Sequence, residues 1–495
     1  MGKISRIFNA ANIRRTVKYI RKNGVADGFY AALERLQEKR KEEYSYSGLT
    51  EAEREKQERV AEELQQELPV TFSILVPAFE TKEDYLRALI ESVLLQTWKR
   101  FELILADASA SDRVEQVVKQ YEDVRIRYIR LGKNEGISGN SNAGLREVTG
   151  DYVGLLDHDD VLTEDALYEM AKALYAENDR GNVPVMLYSD EDKMDGGGKR
   201  FYDPHYKTDF NYDLFLSNNY ICHFLVVRAE YLKQVGFRSL YDGAQDYDMI
   251  LQVLRRVKMN EEMEGRMALS ANAGRKKAEA MQRAVIHVPK VLYHWRCHVQ
   301  STAENPDSKM YAYEAGRKAV NDYCRELGYQ VRMRHEKHLG FYRVSYLSGP
   351  LDQRNDLGAV GGRLLRKGRV AGGAYDASGR ICYEGMPKRF SGYMHRAVLM
   401  QNVDALDIRF LRIREEAVPI LMEVFYQETG KHLSERQLGF LQTQLEPDRQ
   451  NLFIRDLQGM GCTQEQLKAV SLRLGERLRE AGYRLLYDPG KEYSL

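Results

Sequence analysis

Between residues 72 and 157, short apolar runs alternate with amphipathic stretches, and this alternation restricts the possible folds more than any other feature of the chain. FSILVP (72–77) is an apolar run closed by proline, the pattern of a strand buried on both faces. A helical stretch follows over 82–96, with Tyr85, Leu86, Leu89, Ile90 and Val93 at helical spacing. FELILAD (101–107) predicts a second strand, 111–120 a helix, 124–131 a third strand, 138–147 a helix, and DYVGLLD (151–157) a fourth strand. Strand and helix in turn mean βαβ units, hence an α/β domain with a doubly wound, mostly parallel sheet. Ligands of such sheets bind beyond the carboxyl ends of the strands. The polar clusters of this chain fall at those ends.

At 495 residues the chain exceeds what one core organises. Its composition divides it into a helical N-terminal extension (1–69), the α/β domain (70–330) and a C-terminal α+β module (331–495). Residues 33–67 are rich in Glu, Lys, Arg and Gln and read as an exposed helical connector. Residues 1–23 carry seven cations and no acid, which suits either peripheral contact with anionic lipid or a solvated helix packed on the body. Lys and Arg total 74 against 73 Asp and Glu, so the basic excess of a nucleic-acid binder is absent. The five cysteines form no CxxC pair, which argues against a zinc site or a disulfide framework and for a reducing compartment. Without an eighteen-residue apolar run or a signal-peptide apolar core, the expected location is the cytoplasm, with contact at the inner face of the plasma membrane through the basic N-terminus.

The sharpest chemical signal is Asp157-His158-Asp159-Asp160, directly after the apolar strand. Three acids in four residues repel one another unless a cation neutralises them. Mg2+ or Mn2+ takes oxygen ligands and keeps positions for substrate phosphates. Asp159 is therefore expected to bind the metal, and Asp157 the ribose or the metal through water. The competing reading is a solvated loop in which Asp160 or Thr163 caps the next helix. Upstream, Pro77, Phe79 and Glu80 end the first strand and Asp107 the second, where a carboxylate accepts a base N–H and an aromatic ring stacks on the base. NEGISGNSNAG (134–144), which contains Asn142, opens a helix with small polar residues that suit a phosphate on backbone amides. GAQDYD (243–248) opens another helix, where Asp246 is placed to deprotonate an acceptor hydroxyl or merely to complement the helix dipole. In VPKVLYHWR (288–296), His294 is a candidate to complete the metal shell and Arg296 to balance diphosphate charge.

FSILVPAFE, LLQTWKRFELILAD, NEGISGNSNAGL, GDYVGLLDHDD, YSDEDK, NNYICHFLVVR, GAQDYD and HVPKVLYHWR followed by STA occur in this order over about 260 residues. The ordered set resembles family-2 glycosyltransferases of the GT-A fold, in particular the bacterial branch that builds rhamnose-containing and other surface polysaccharides. The resemblance implies a nucleotide-diphospho-sugar donor, a glycan or lipid-linked acceptor and a single inverting displacement. It implies that Asp157 and Asp159 hold metal and nucleotide, that Asp246 is the catalytic base, and that His294 contacts the metal-diphosphate group. Pro77, Phe79, Glu80 and Asp107 would line the nucleotide pocket. Ala108 departs from the pattern, since many relatives carry a second acid there. The charged stretch 258–283 reads as an inserted helical excursion. LGAVGGRLLRKGRV (357–370) and REAGYRLLYDP (479–489) resemble the latter half of a second copy of the family, without its opening strand or acidic cluster. Two other readings are a catalytically idle glycan-binding scaffold and a nucleotidyltransferase of related fold. The latter wants a glycine-rich basic loop after the first strand, where this chain has Lys82 and no glycine.

Overall fold

The computed structural model describes residues 20–21, 24–38, 44–267, 281–297, 310–434, 437–442, 450–454 and 457–495. Most of the basic stretch 1–23, the centre of the 258–283 stretch and the STA segment (301–303) lie outside the described residues. The chain forms two compact units. One comprises 44–335 with 344–347; the other comprises 1–43, 336–343 and 348–495. Residues 44–69, expected with the N-terminal extension, belong to the larger unit.

The strands of the larger unit are β1 (Phe72–Ala78), β2 (Phe101–Asp107), β3 (Ile126–Arg130), β4 (Tyr152–Leu155), β5 (Val161–Leu162), β6 (Met186–Asp195), β7 (Phe201–His205), β8 (Leu225–Arg228) and β9 (Val285–Cys297). They form one sheet in the order β3-β2-β1-β4-β8-β6-β9-β5, with β7 paired to β6. The α/β expectation holds over β1 to β4, where every pairing is parallel. Beyond β4 the sheet changes character, because β8 runs antiparallel between β4 and β6. β9 then returns parallel to β6, and the short β5 pairs antiparallel with β9 through Val161 and His294. The acidic loop after β4 is thereby bound to β9 across the sheet.

β1 and β2 are buried almost throughout because helices cover both faces. Helix Glu83–Leu94 seats Leu86, Leu89, Ile90 and Val93 in the core with Phe72 and Trp98. Helix Gly136–Leu145, which grows from the glycine-rich segment, needs glycine for packing. A Cβ on Gly144 would stand 2.5 Å from Leu75 Cδ1 and 3.1 Å from Ala106 Cβ on the strands beneath. Helix Glu51–Glu67 starts with a reciprocal Thr50–Glu53 capping box and is tied to the sheet unit by the Arg54–Glu164 and Lys99–Glu58 ion pairs.

In the smaller unit, strand Leu357–Arg366 runs antiparallel to Arg369–Gly372 and Leu411–Arg414 and parallel to Arg484–Ser494. Helices Val418–Thr429 and Gln464–Glu480 place Leu421, Phe425, Val470 and Leu474 against Ile413 and Leu485. These pairings repeat those of β6 with β7, β8 and β9. The connections repeat as well: β8 leads into helix Ala229–Val235, and helix Gln245–Met267 precedes β9. Among the described residues, no helix is long and apolar enough to cross a membrane.

Gly154 on β4 admits no side chain, since a Cβ would lie 2.7 Å from Phe224 Cζ and 2.8 Å from Ile74 Cδ1. Gly154→Val should destabilise the larger unit by about 1–3 kcal/mol through overpacking. A fall in the urea midpoint with an unchanged m-value measures it.

Candidate active site

The acidic loop is organised by its most buried member. Asp160 is fully enclosed, and its carboxylate accepts the backbone N–H of Arg296 at 2.7 Å and the hydroxyl of Tyr293 at 2.5 Å. The Tyr293 oxygen in turn accepts the N–H of Asp157 at 3.3 Å. Arg296 closes the arrangement by donating from Nε to the Asp159 carbonyl at 2.6 Å, while its guanidinium lies 4.5 Å over the Tyr85 ring. Asp160 is thus an anchor between β9 and the loop, not a helix cap. Thr163 does not cap the helix either, because its hydroxyl donates to Asp165 at 2.7 Å. Burial first, then the Asp159 and Asp157 charges, push the Asp160 carboxyl well above the usual carboxylate range. With Asp160 and Arg296 fixing the loop, the Asp157 side chain is exposed and Asp159 half-buried.

Asp246 stands in the first turn of helix Gln245–Met267. Burial, together with the Asp157 charge, holds its carboxyl above the ordinary value; the Tyr247 N–H, His223 and Asn219 pull the other way. Asp157, His223 and Asp246 therefore share one electrostatic neighbourhood. Asp248, two residues on, is structural. Arg238 Nε donates to its Oδ2 at 2.8 Å, which ties the preceding loop to the helix.

Glu191 and His223 were given no role by the residue patterns, although they lie in the segments YSDEDK and NNYICHFLVVR. Glu191 on β6 meets His205 at 3.1 Å, His223 at 2.9 Å and Lys207 at 3.7 Å. Burial raises the Glu191 carboxyl, but Lys207, His205 and His223 outweigh it and hold it well below the usual range. His223 stacks on the Tyr293 ring at 4.6 Å with planes 9° apart. Burial disfavours its charged form, yet Cys222 and Glu191 prevail and raise it well above the ordinary imidazole value. Among the described residues, Glu191, Cys222 and His223 are the group of three potential metal donors within 4.8 Å of one another. Lys207, which also bonds to the His223 carbonyl, already balances the Glu191 charge, so this trio does not need a cation. Folding brings β6 and the turn before β8 together to create the cluster, and no local spacing signals it.

The remaining candidates have structural partners. Glu80, at a φ of 47°, accepts the Ala110 and Ser111 N–H groups at 2.9 and 3.0 Å and the Ser111 hydroxyl at 2.8 Å. Its carboxylate holds the loop after β2, and those bonds lower its pKa. Asp107 is buried, accepting the Ser109 N–H at 2.9 Å and the Tyr128 hydroxyl at 2.7 Å. Pro77 and Phe79 stand at the end of β1, where Phe79 is 46% exposed. Asn142 is committed to the Phe237 backbone, accepting its N–H at 2.9 Å and donating to its carbonyl at 2.7 Å. Arg296, expected on a diphosphate, serves the acidic loop. Tyr293 and His294 are consecutive on β9 and leave it on opposite faces. Tyr293 faces the acidic loop; His294 is buried, with Nδ1 2.6 Å from Asp192 and its ring 4.4 Å from Tyr46 and 4.3 Å from Phe201. Of the His294 ring, expected on a metal, Nδ1 is engaged by Asp192, which also accepts the Tyr44 hydroxyl at 2.7 Å. The structure therefore brings Asp157 and His223 within electrostatic reach of Asp246, with Asp159 on the same loop as Asp157, and gives Glu80, Asp107, Asn142, Arg296 and His294 bonds that hold the surrounding loops and strands.

Tyr293→Phe removes the one hydroxyl that serves both Asp160 and Asp157. It should cost about 1–3 kcal/mol, the range for leaving a buried acceptor short of a partner, read as a lower urea midpoint.

Residues 73–236 match the family described as "Glycosyl transferase family 2". The chain is 36% identical over 255 residues to "Uncharacterized protein y4gI" of Sinorhizobium fredii, covering 51% of this chain and 25% of that protein. It is 29% identical over 278 residues to "O-antigen biosynthesis protein RfbC" of Myxococcus xanthus, covering 55% of this chain and 19% of that protein. Over 99 residues it is 38% identical to "GalNAc(5)-diNAcBac-PP-undecaprenol beta-1,3-glucosyltransferase" of Campylobacter jejuni, covering 19% of this chain and 31% of that protein. The chain thus spans about a third or less of each of these relatives. The match and the fold agree on the same segment, and this chain carries a domain of glycosyl transferase family 2.

Proposed function

We propose that the larger unit transfers a sugar from a nucleotide-diphospho-sugar to a hydroxyl of a glycan or lipid-linked acceptor, in cell-surface polysaccharide synthesis and with inversion. The observation that carries this reading is Asp246, a half-buried carboxylate at a helix start that accepts a bond from Asn219 Nδ2 at 2.8 Å and whose pKa is raised by burial and then by the Asp157 charge. A general base works best when its pKa approaches the working pH, and burial moves Asp246 in that direction. The acceptor oxygen attacks the anomeric carbon as its proton passes to Asp246. The bond from that carbon to the diphosphate oxygen breaks, and the electron pair leaves with the nucleoside diphosphate. Attack opposite to the leaving group inverts the configuration.

The donor set at the loop mouth suits a hard divalent ion such as Mg2+ or Mn2+. Asp157 and Asp159 offer carboxylate oxygens there, and their charges contribute to the upward push on Asp160. These two residues would hold the ion, which when bound supplies positive charge beside the diphosphate. His223, raised toward its charged form, adds positive charge in the same neighbourhood.

The smaller unit is proposed to be a partial second copy of the same architecture. The repeated pairing of one central strand with a hairpin, an antiparallel partner and a parallel partner supports this reading. Its sequence carries no counterpart of the acidic cluster 157–160, so packing, acceptor binding or partner contact is its proposed role. The basic residues 1–23 are proposed to touch anionic lipid at the inner face of the plasma membrane.

Donor hydrolysis screened across nucleotide sugars with Mg2+ and Mn2+ tests the assignment. Asp246→Asn should lower turnover by about 10²–10⁴. Because the Asp246 pKa is raised and the base acts ionised, wild-type rates should fall with decreasing pH at a midpoint above the ordinary aspartate value. Undiminished turnover in folded Asp246→Asn and Asp159→Ala overturns the reading. No calorimetric binding of any nucleoside diphosphate with Mn2+ points instead to an idle scaffold.

A further inference from the structure

A cavity of about 390 Å³ lies within the smaller unit, inside the range of roughly 300–1,000 Å³ that small ligands occupy. It opens where the sheet is interrupted. Strands Leu357–Arg366 and Arg484–Ser494 pair Gly362 with Asp488 and then Arg363 with Glu492, so residues 489–491 bulge out of the ladder. Pro489 and Gly490 of that bulge form part of the wall. A bulge bends its strand and re-aims neighbouring side chains, which is why bulges gather beside functional sites. A Cβ on Gly490 would collide with the Arg343 guanidinium, so glycine is what lets that arginine lie against the backbone. Helix Val25–Glu38 closes another side through Asp27, Ala31 and Glu34.

Five cations line the cavity: Lys337, Arg343, Arg363, Lys388 and Arg389. Asp27 accepts from Lys337 at 2.6 Å and from Arg389 at 3.0 Å. Glu492 accepts from Arg363 at 2.5 Å and stands 3.7 Å from Lys388. Arg343 is paired with Asp488 and, at 3.6 Å, with Glu336. Glu34 accepts the Ser391 hydroxyl at 3.0 Å and the Gly392 N–H at 2.8 Å. The five cations are thus matched by five carboxylates, Asp27, Glu34, Glu336, Asp488 and Glu492, and the charges cancel. Such a wall repels a phosphate or other oxyanion as much as it attracts one.

Arg363 shows what the wall offers instead. It lines the cavity although it is only 6% exposed. One Nη donates to Glu492 and Nε is enclosed, so the other Nη is the part that opens to the cavity. Lys388 stands beyond hydrogen-bond distance of Glu492. Donor N–H groups therefore remain beside carboxylate lone pairs. A sugar hydroxyl uses both at once, because it donates one bond and accepts others. Ala31, Val398 and Pro489 add apolar surface of the kind that the C–H face of a pyranose ring covers.

We propose that this cavity is a saccharide-binding site: it holds an uncharged sugar unit of the acceptor glycan, whose hydroxyls accept from Arg363 and Lys388 and donate to Glu492. The C–H face of that sugar lies on Ala31, Val398 and Pro489. The inference deepens the acceptor-binding role proposed above for the smaller unit and rests on that reading.

Saturation-transfer NMR on the full chain tests it, with the methyl glycosides of glucose, galactose, rhamnose and N-acetylglucosamine as probes and pyrophosphate as competitor. At least one glycoside should receive saturation, and an equal concentration of pyrophosphate should not displace it. Ala31→Phe puts a ring into the cavity and should abolish the transfer. The Lys388 side chain is 48% exposed, so Lys388→Ala leaves the fold intact. It should weaken binding about tenfold, the loss of one hydrogen bond to a charged group. Transfer that survives unchanged in both variants, transfer that pyrophosphate displaces, or no transfer to any glycoside in wild-type protein overturns the proposal. No nucleotide sugar enters the measurement, so it stands whether or not the larger unit hydrolyses a donor, and its failure leaves the assignment of Asp246 untouched.

Discussion

The candidate site depends on one buried carboxylate. Asp160 cannot be solvated, so it takes its hydrogen bonds from the Arg296 backbone and the Tyr293 hydroxyl, both on β9. A carboxylate in that position costs a great deal if left unpaired, and its two partners make the cost tolerable. The loop that carries Asp157 and Asp159 has therefore no freedom to drift from β9. The same tyrosine that anchors Asp160 stacks against His223, which reaches Glu191 and Lys207. Loop, imidazole and buried carboxylate become one network because a single ring on β9 touches all of them.

The sheet order makes that network possible. The first four strands build a parallel half whose carboxyl ends carry Phe79, Asp107 and the acidic loop. The insertion of antiparallel β8 next to β4 brings the preceding turn, with His223 and Asn219, to the same edge. The long parallel ladder of β6 and β9 then sets Glu191 opposite Tyr293. Neither half holds all the chemical groups. The smaller unit repeats the pairing of the second half alone, and its strand Leu411–Arg414 is preceded by Arg409, bonded to Asp407 and Gln464, where the larger unit has an imidazole before β8.

Residue patterns read along the chain captured what depends on local periodicity. The strands at 72–78, 101–107 and 152–155 and the helices between them lie where the apolar spacing puts them, with ends that differ by at most two residues. The acidic cluster and Asp246 were also legible, because carboxylates at a strand end and at a helix start are visible without a partner. For other candidate residues the structure adds partners that the residue patterns do not show. Asn142 sits in a segment that looks built for phosphate, yet its amide is spent on the Phe237 backbone ninety-five residues away. Glu80 and Asp107 sit at strand ends as expected, but their oxygens hold neighbouring loops. Glu191, His223 and Asn219 carried no local signal.

What the sequence alone determined was the α/β class of the first half, the position of the acidic loop, and the place of Asp246 at a helix start. These follow from hydrophobic period and from charge that is costly wherever it is buried. Tertiary structure decided which acid is exposed and which is an anchor, which partners His223 and His294 take, and which asparagine bonds to Asp246. Those outcomes depend on hydrogen bonds between residues as much as 137 positions apart. A polar side chain has several possible partners, and only the folded sheet selects one.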